Sequence, residues 1–258
     1  MMNSHRPLPR LAFGQGRASD GSRELPEEVA VALSYNGSTQ AVMMASPAGL
    51  VDFAYGFSLT EGIATPDEID SVEIVETALG IDLQIWLKSP AEDRQRARRR
   101  SMAGPVGCGL CGIDSLAEAA RKPMRVADTD FTMTPAQIMG AMADLTAHQP
   151  LHDLTRAAHA AAFWADGIQA AREDVGRHNA LDKLIGAVAR STRTAHRAVV
   201  AGIAEIEARR QAVISARSAY ESTEAGLEVG TRTIVDVLLS QQQLFAAQRE
   251  FANARHVF

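Results

Sequence analysis

The sequence predicts a mixed α/β domain followed by a long antiparallel α-helical hairpin. Three observations carry this. Short alternating segments around Asn36-Gly37 and Asp166-Gly167 read as β-hairpins. Helical stripes lie between them. Near residue 190 the character changes: the last proline is Pro150, the last lysine is Lys183, and no Cys, Met, Trp, Lys or Pro follows Ser191.

Residues 1–26 are rich in Gly, Pro, Ser and Arg and read as a disordered arm. The α/β domain then occupies 27–190. Residues 29–44 alternate into two strands about Asn36-Gly37. Pro47 opens a helical stretch with Leu50, Phe53, Ala54 and Phe57 on one face. Residues 71–77 and 81–87 read as strands joined near Gly80. "AEDRQRARRRS" (91–101) is a basic helix or loop. A glycine-rich segment follows, then a helix from Ser115. Thr134-Pro135 starts another helix, with proline in the favoured first turn. "HAAAFW" and "GIQAAREDVG" flank the second hairpin, and His159 there reads as a satisfied core residue. "HNALDKLIGAVAR" is helical, with Leu181, Leu184, Ile185 and Val188 on one face.

From 193 to 258 a thin apolar stripe runs through Val199, Ile203, Ile206, Val213, Tyr220 and Leu227. "EVGTRT" interrupts it. It resumes at Ile234, Leu238, Leu244/Phe245, Phe251 and Phe258. Two nearly matched arms about a Gly-containing turn make the predicted hairpin. So narrow a stripe calls for partner helices.

Composition excludes several classes. A net charge of −5 gives no electrostatic ground for nucleic-acid binding. No window has the ~20 apolar residues of a membrane span, and no secretory signal opens the chain. A cytoplasmic protein without membrane association is expected. In that compartment a close cysteine pair points to redox, metal or catalytic chemistry before a structural disulfide.

Cys108 and Cys111, in "GCGLCG", are the chain's 2 cysteines. Four chemistries use such a pair. A thioredoxin-like site places the first cysteine at a helix start, whereas Gly107 and Gly109 favour a flexible loop. A structural zinc site needs four ligands, and no second pair is visible. A zinc deaminase needs an H-x-E that this chain lacks. Sulfur relay needs a mobile, exposed thiolate, which flanking glycines permit. Arg94, Arg96, Arg98, Arg99 and Arg100 stand ready to lower a thiol pKa or hold an anion. Two inert buried cysteines are the bland alternative. Spacing alone does not choose.

A second cluster, "REDVGRHNALDK", gathers Arg172, Glu173, Asp174, Arg177, His178, Asn179, Asp182 and Lys183. On a helix starting near Asp174, His178 lies four residues from Asp174 and from Asp182, which would orient its ring; Arg177 and Glu173 would pair likewise. The alternative is a solvated helix face with ordinary ion pairs.

Taken in order, "SYNGSTQAVMMASPAGLVDFAYGFSLTEGI" (34–63), "GCGLCGIDSL" (107–116), "TRAAHAAAF" (155–163) and "REDVGRHNALDKLIGA" (172–187) closely resemble the formate dehydrogenase accessory protein (FdhD) family. The resemblance covers about 27–190. It implies a cytoplasmic sulfur carrier with a cytidine-deaminase-like fold, acting as a homodimer. A cysteine desulfurase would load Cys108 as a persulfide, with Cys111 as its partner. The cargo site would be the molybdenum cofactor in its bis-guanine-dinucleotide form, destined for formate dehydrogenase, and the carrier would hold no catalytic metal of its own. By motif match, Arg172, Glu173, Asp174, His178, Asn179, Asp182 and Lys183 are the candidates for lining the cofactor pocket.

The family's later segments are missing after "DKLIGA", so the carrier domain is expected to be incomplete, with exposed strand edges. Residues 193–258 instead resemble the late periplasmic hairpin of outer-membrane efflux channels of the TolC family, with "VGTRTIVDVL" (229–238) at its tip. The alternative reading is therefore a fusion or chimeric product, joined near 190–193, whose carrier activity is lost. Fold analogy alone adds a zinc-dependent deaminase-like hydrolase.

Overall fold

The computed structural model describes residues 2–14, 16–89 and 128–256. The cysteine segment, the basic stretch 91–101 and the helix expected from Ser115 lie outside the described residues. The chain divides into two compact units, 1–190 and 191–258.

The first unit opens with an antiparallel ribbon, not with a disordered arm. β1 (His5–Gly14) pairs with β2 (Arg17–Pro26) from His5↔Pro26 to Gly14↔Arg17. The composition misled because a backbone ladder asks little of side chains. Pro7 and Pro9 are two residues apart, so both can turn their missing N–H to the unpaired side of an edge strand. A long ribbon is marginal alone. Its base is tied down: Glu27 N–H donates to the Ser4 carbonyl at 2.8 Å, Arg6 pairs with Glu27 at 2.8 Å, and Arg23 donates to the Thr155 carbonyl at 3.2 Å.

The core is a four-stranded sheet in the order β4-β3-β6-β5. β3 (Val29–Tyr35) and β4 (Ser38–Ala45) form the expected hairpin. Asn36 and Gly37 both have positive φ (48° and 76°), as a tight hairpin turn requires. The Asn36 side chain also accepts from the Leu87 N–H at 2.7 Å, which docks the turn onto β6. β5 (Ile69–Thr77) and β6 (Gly80–Leu87) make the second hairpin, and β3 runs parallel to β6. Alternation sends Val31, Leu33, Tyr35, Ile81, Leu83 and Ile85 to one face. Helix α1 (Leu50–Thr60) covers it with Leu50, Phe53, Ala54 and Phe57, the face read from the sequence.

Beyond the undescribed stretch, α2 (Pro135–Leu145) starts as expected. Thr134 and Gln137 form a reciprocal capping box. A short 3-10 turn and α3 (Pro150–Thr155) lead to the hairpin of β7 (His159–Trp164) and β8 (Ile168–Asp174). His159 is exposed there, so it is not a core residue.

Helix α4 (Arg177–Glu228) is one continuous element of 52 residues. The helix of the α/β domain and the first arm of the hairpin are thus the same helix. Its buried face in the first unit is Asn179, Ala180, Lys183, Leu184, Gly186 and Ala187, whereas Leu181 is exposed. The expected Leu181–Val188 face is rotated because α4 packs through glycine. A Cβ on Gly56 would lie 1.7 Å from the Asp182 carbonyl oxygen, and one on Gly186 1.9 Å from that of Asp52. Backbones of α1 and α4 touch at this crossing, and only glycine allows it.

In the second unit, α4 ends in a Schellman motif. Thr231 N–H bonds the Gly226 carbonyl at 2.8 Å, Gly230 N–H bonds the Leu227 carbonyl at 3.1 Å, and Gly230 has φ 73°. Thr233 and Asp236 then cap α5 (Ile234–His256) reciprocally. "VGTRTIVD" is therefore a stop signal followed at once by a start signal. Buried or half-buried positions fall at Ile206, Val213, Tyr220 and Leu227 on α4 and at Val237, Leu244 and Phe251 on α5. That seven-residue spacing suits the seam of an antiparallel helix pair. Val199, Ile203, Ile234 and Leu238, which the sequence placed in the stripe, are exposed. Among the described residues no helix is long and apolar enough to cross a membrane.

The helix crossing makes a direct prediction. Gly56→Ala or Gly186→Ala should cost about 2–3 kcal/mol by forcing the helices apart. Gly140→Ala, inside α2 with nothing within 4 Å of its added Cβ, should instead stabilise by about 0.5–1 kcal/mol. Urea unfolding of the three variants checks both signs.

Candidate functional site: a charge-clasped cavity

The 172–183 motif folds as a strand end, a turn and a helix start. Asp174 closes β8, and α4 begins only at Arg177. The expectation that Asp174 and His178 share a helix is therefore corrected. Asp174 is fully buried and acts as the anchor of the turn. Its carboxylate accepts from the N–H of Ser46 at 3.0 Å, the N–H of Gly176 at 2.7 Å and the Asn179 amide at 3.1 Å. The fully buried Lys183 ammonium completes the set and donates also to the Ser46 carbonyl at 2.9 Å. Asn179 reaches on to the Met44 carbonyl at 2.9 Å, and the Ser46 hydroxyl accepts from the Val175 N–H at 3.2 Å. The end of β4 is thereby stitched to the start of α4. Burial pushes the Lys183 ammonium down from the usual lysine range, and the Asp174 charge opposes that.

Asp52 forms a second clasp. It lies 7% exposed on the buried side of α1. It accepts from Arg172 Nε at 2.8 Å and from the Arg190 guanidinium, which also lies over the Tyr55 ring at 5.5 Å. The sequence reading missed Asp52, although an acid inside the apolar run "GLVDFAYG" is a legible signal of a buried partner. Glu173 accepts from the N–H groups of Leu151 and His152 at 2.8 and 2.7 Å. It caps α3 and does not pair with Arg177, which is exposed. His178 is exposed as well. Asp182 accepts from the Thr60 hydroxyl at 2.9 Å. Its carboxyl is pushed up to about 6, chiefly by burial, with the Thr60 bond opposing.

These clasps surround a cavity of about 320 Å³. Its lining includes Gly49, Arg172, Glu173 and Lys183 from the motif side, with His5 from the ribbon and His148 after α2. The volume lies at the small end of the range used by small-molecule ligands. Of the candidates, Arg172, Glu173 and Lys183 reach the cavity. Asp174 and Asn179 brace it through their bonds, whereas His178 and Asp182 are not among its lining residues. Arg172 is held at Nε by Asp52 and at Nη1 by the Ala171 carbonyl at 2.8 Å. A guanidinium fixed on one side presents its remaining donors in a set direction, as recognition of an anion requires.

The class the structure defines is an α/β domain with a buried-charge clasp behind a cavity whose wall mixes apolar residues with Arg172, Glu173 and Lys183. The family model described as FdhD/NarQ family matches residues 26–204, and the chain belongs to that family. The "Sulfur carrier protein FdhD" of Agrobacterium fabrum is 50% identical over 201 residues, covering 77% of this chain and 74% of that protein. The protein of the same name from Bordetella bronchiseptica is 42% identical over 225 residues, covering 86% and 76%. A solved structure from Desulfotalea psychrophila, named as that of a formate dehydrogenase accessory protein, superposes with a TM-score of 0.50 at 20% identity over 72% of this chain and 67% of its own. At that identity the likeness speaks for the fold alone.

Two outcomes follow from the charges. Lys183→Ala leaves the buried Asp174 uncompensated and should cost about 3–5 kcal/mol in urea unfolding. Asp182 binds its proton more tightly folded than unfolded, so its contribution is present at low pH and is lost as pH rises from about 4 through about 6. Asp182→Asn should therefore match the wild type below pH 4 and exceed it by about 1 kcal/mol above pH 6.5, after allowance for solvent screening. Melting curves across pH check this.

Proposed function

We propose that the protein is a sulfur carrier serving formate dehydrogenase, built on a cytidine-deaminase-like domain. The observation that carries this is family membership over 26–204, a span that contains both cysteines. Cys108 is the acceptor of sulfur and Cys111 its partner. The Cys108 thiolate attacks the terminal sulfur of a persulfide on a cysteine desulfurase. The donor's S–S bond breaks, the donor thiolate leaves, and a persulfide forms on Cys108. The sulfur is then passed to the molybdenum cofactor, the cargo, on its way to formate dehydrogenase. The cavity holds the guanine-nucleotide end of that cargo, with Arg172 as the anion-binding side chain. The working species is a cytoplasmic homodimer.

A second reading concerns the end of the chain. The family match stops at 204 and the compact units divide after Arg190. The alternative we propose is a fusion, in which residues 193–258 are an efflux-channel-like hairpin and carrier activity is lost.

Incubation with a cysteine desulfurase and cysteine should raise the protein's mass by one sulfur atom, and Cys108→Ala should abolish the gain. A wild-type chain that gains no sulfur supports the second reading.

A further inference from the structure

We propose that the N-terminal ribbon is part of the ligand site, and that His5 contacts the nucleotide bound in the cavity. This rests on the cavity's proposed role as the nucleotide site. The family match begins at residue 26, so β1 and nearly all of β2 lie outside it. Yet Ser4 and His5 line the same cavity as Gly49, Arg172 and Lys183.

Three features make this wall a built one. The ribbon's base is anchored to the domain by the Arg23–Thr155 bond, and Thr155 is fully buried. Ser4 is held through its carbonyl by the Glu27 N–H at 2.8 Å. His5 is oriented by its own ribbon, since Nδ1 lies 2.9 Å from Glu24 Oε2. A carboxylate accepts there, so Nδ1 carries the hydrogen and Nε2 is the ring position left for a ligand. A ring so fixed loses little freedom on binding, as Arg172 does under its Asp52 clasp.

A two-stranded ribbon is weakly stable alone, so a ligand touching it should also order it. Of its four arginines, Arg10, Arg17 and Arg23 are exposed and not followed by proline, as trypsin requires.

The test uses the full chain and GDP as probe, with affinity read by calorimetry and ribbon cleavage by limited trypsin digestion. His5→Ala should weaken GDP about tenfold, the worth of one hydrogen bond to a charged or strongly polar group. His5→Gln should recover most of that loss. GDP should slow ribbon cleavage in the wild type and not in Arg172→Ala. If His5→Ala binds GDP as the wild type does while Arg172→Ala is weakened, the ribbon is scaffold only and the inference fails alone. If the wild type binds no GDP, or Arg172→Ala binds it equally well, the cavity's proposed role fails and takes the inference with it.

Discussion

The backbone contact between α1 and α4 at Gly56 and Gly186 is the constraint on which the first unit depends. With any larger residue at either position the helices stand further apart. Close approach sets the rotation of α4, and rotation decides which side chains face inward. Lys183 then points to Asp174 and Ser46, and Arg190 points to Asp52. The polar clasps are a consequence of the glycine crossing.

Buried charge is costly and weak as a source of net stability. Here its role is better read as placement. Asp174 receives four donors and ties the end of β4, the turn after β8 and the first turns of α4 to one point. Asp52 does the same for Arg172 and Arg190. Two side chains that reach the cavity, Arg172 and Lys183, are held from behind by the carboxylates of Asp52 and Asp174, which do not line it. The motif 172–183 is therefore half wall and half frame.

Turn chemistry made much of this fold legible. Asn36-Gly37, Asp166-Gly167 and Thr134-Pro135 each marked a local event with one physical solution, and each element formed there. The α1 stripe was legible for the same reason. Misses were non-local. The ribbon depends on a backbone ladder and on anchors up to 132 residues away, which composition does not display. Asp52 and Arg172 are 120 residues apart. The buried face of α4 was taken from its leucines; Leu184 does lie on it, but Asn179, Lys183 and small residues make up the rest. In the hairpin the less exposed positions only partly follow the apolar stripe: Val199, Ile203, Ile234 and Leu238 are exposed, whereas the polar Ser240 is buried. Cys108 and Cys111, the plainest chemical signal in the sequence, lie outside the described residues, so their role stands on family membership and spacing.

The central claim is that this chain carries sulfur for formate dehydrogenase with the cavity and the cysteine pair it contains. Complementation of a bacterial strain lacking its own carrier tests it most directly. The account predicts that the full chain restores formate dehydrogenase activity and that Cys108→Ala does not. A chain that accumulates in those cells to the level of a working carrier and restores nothing would contradict it.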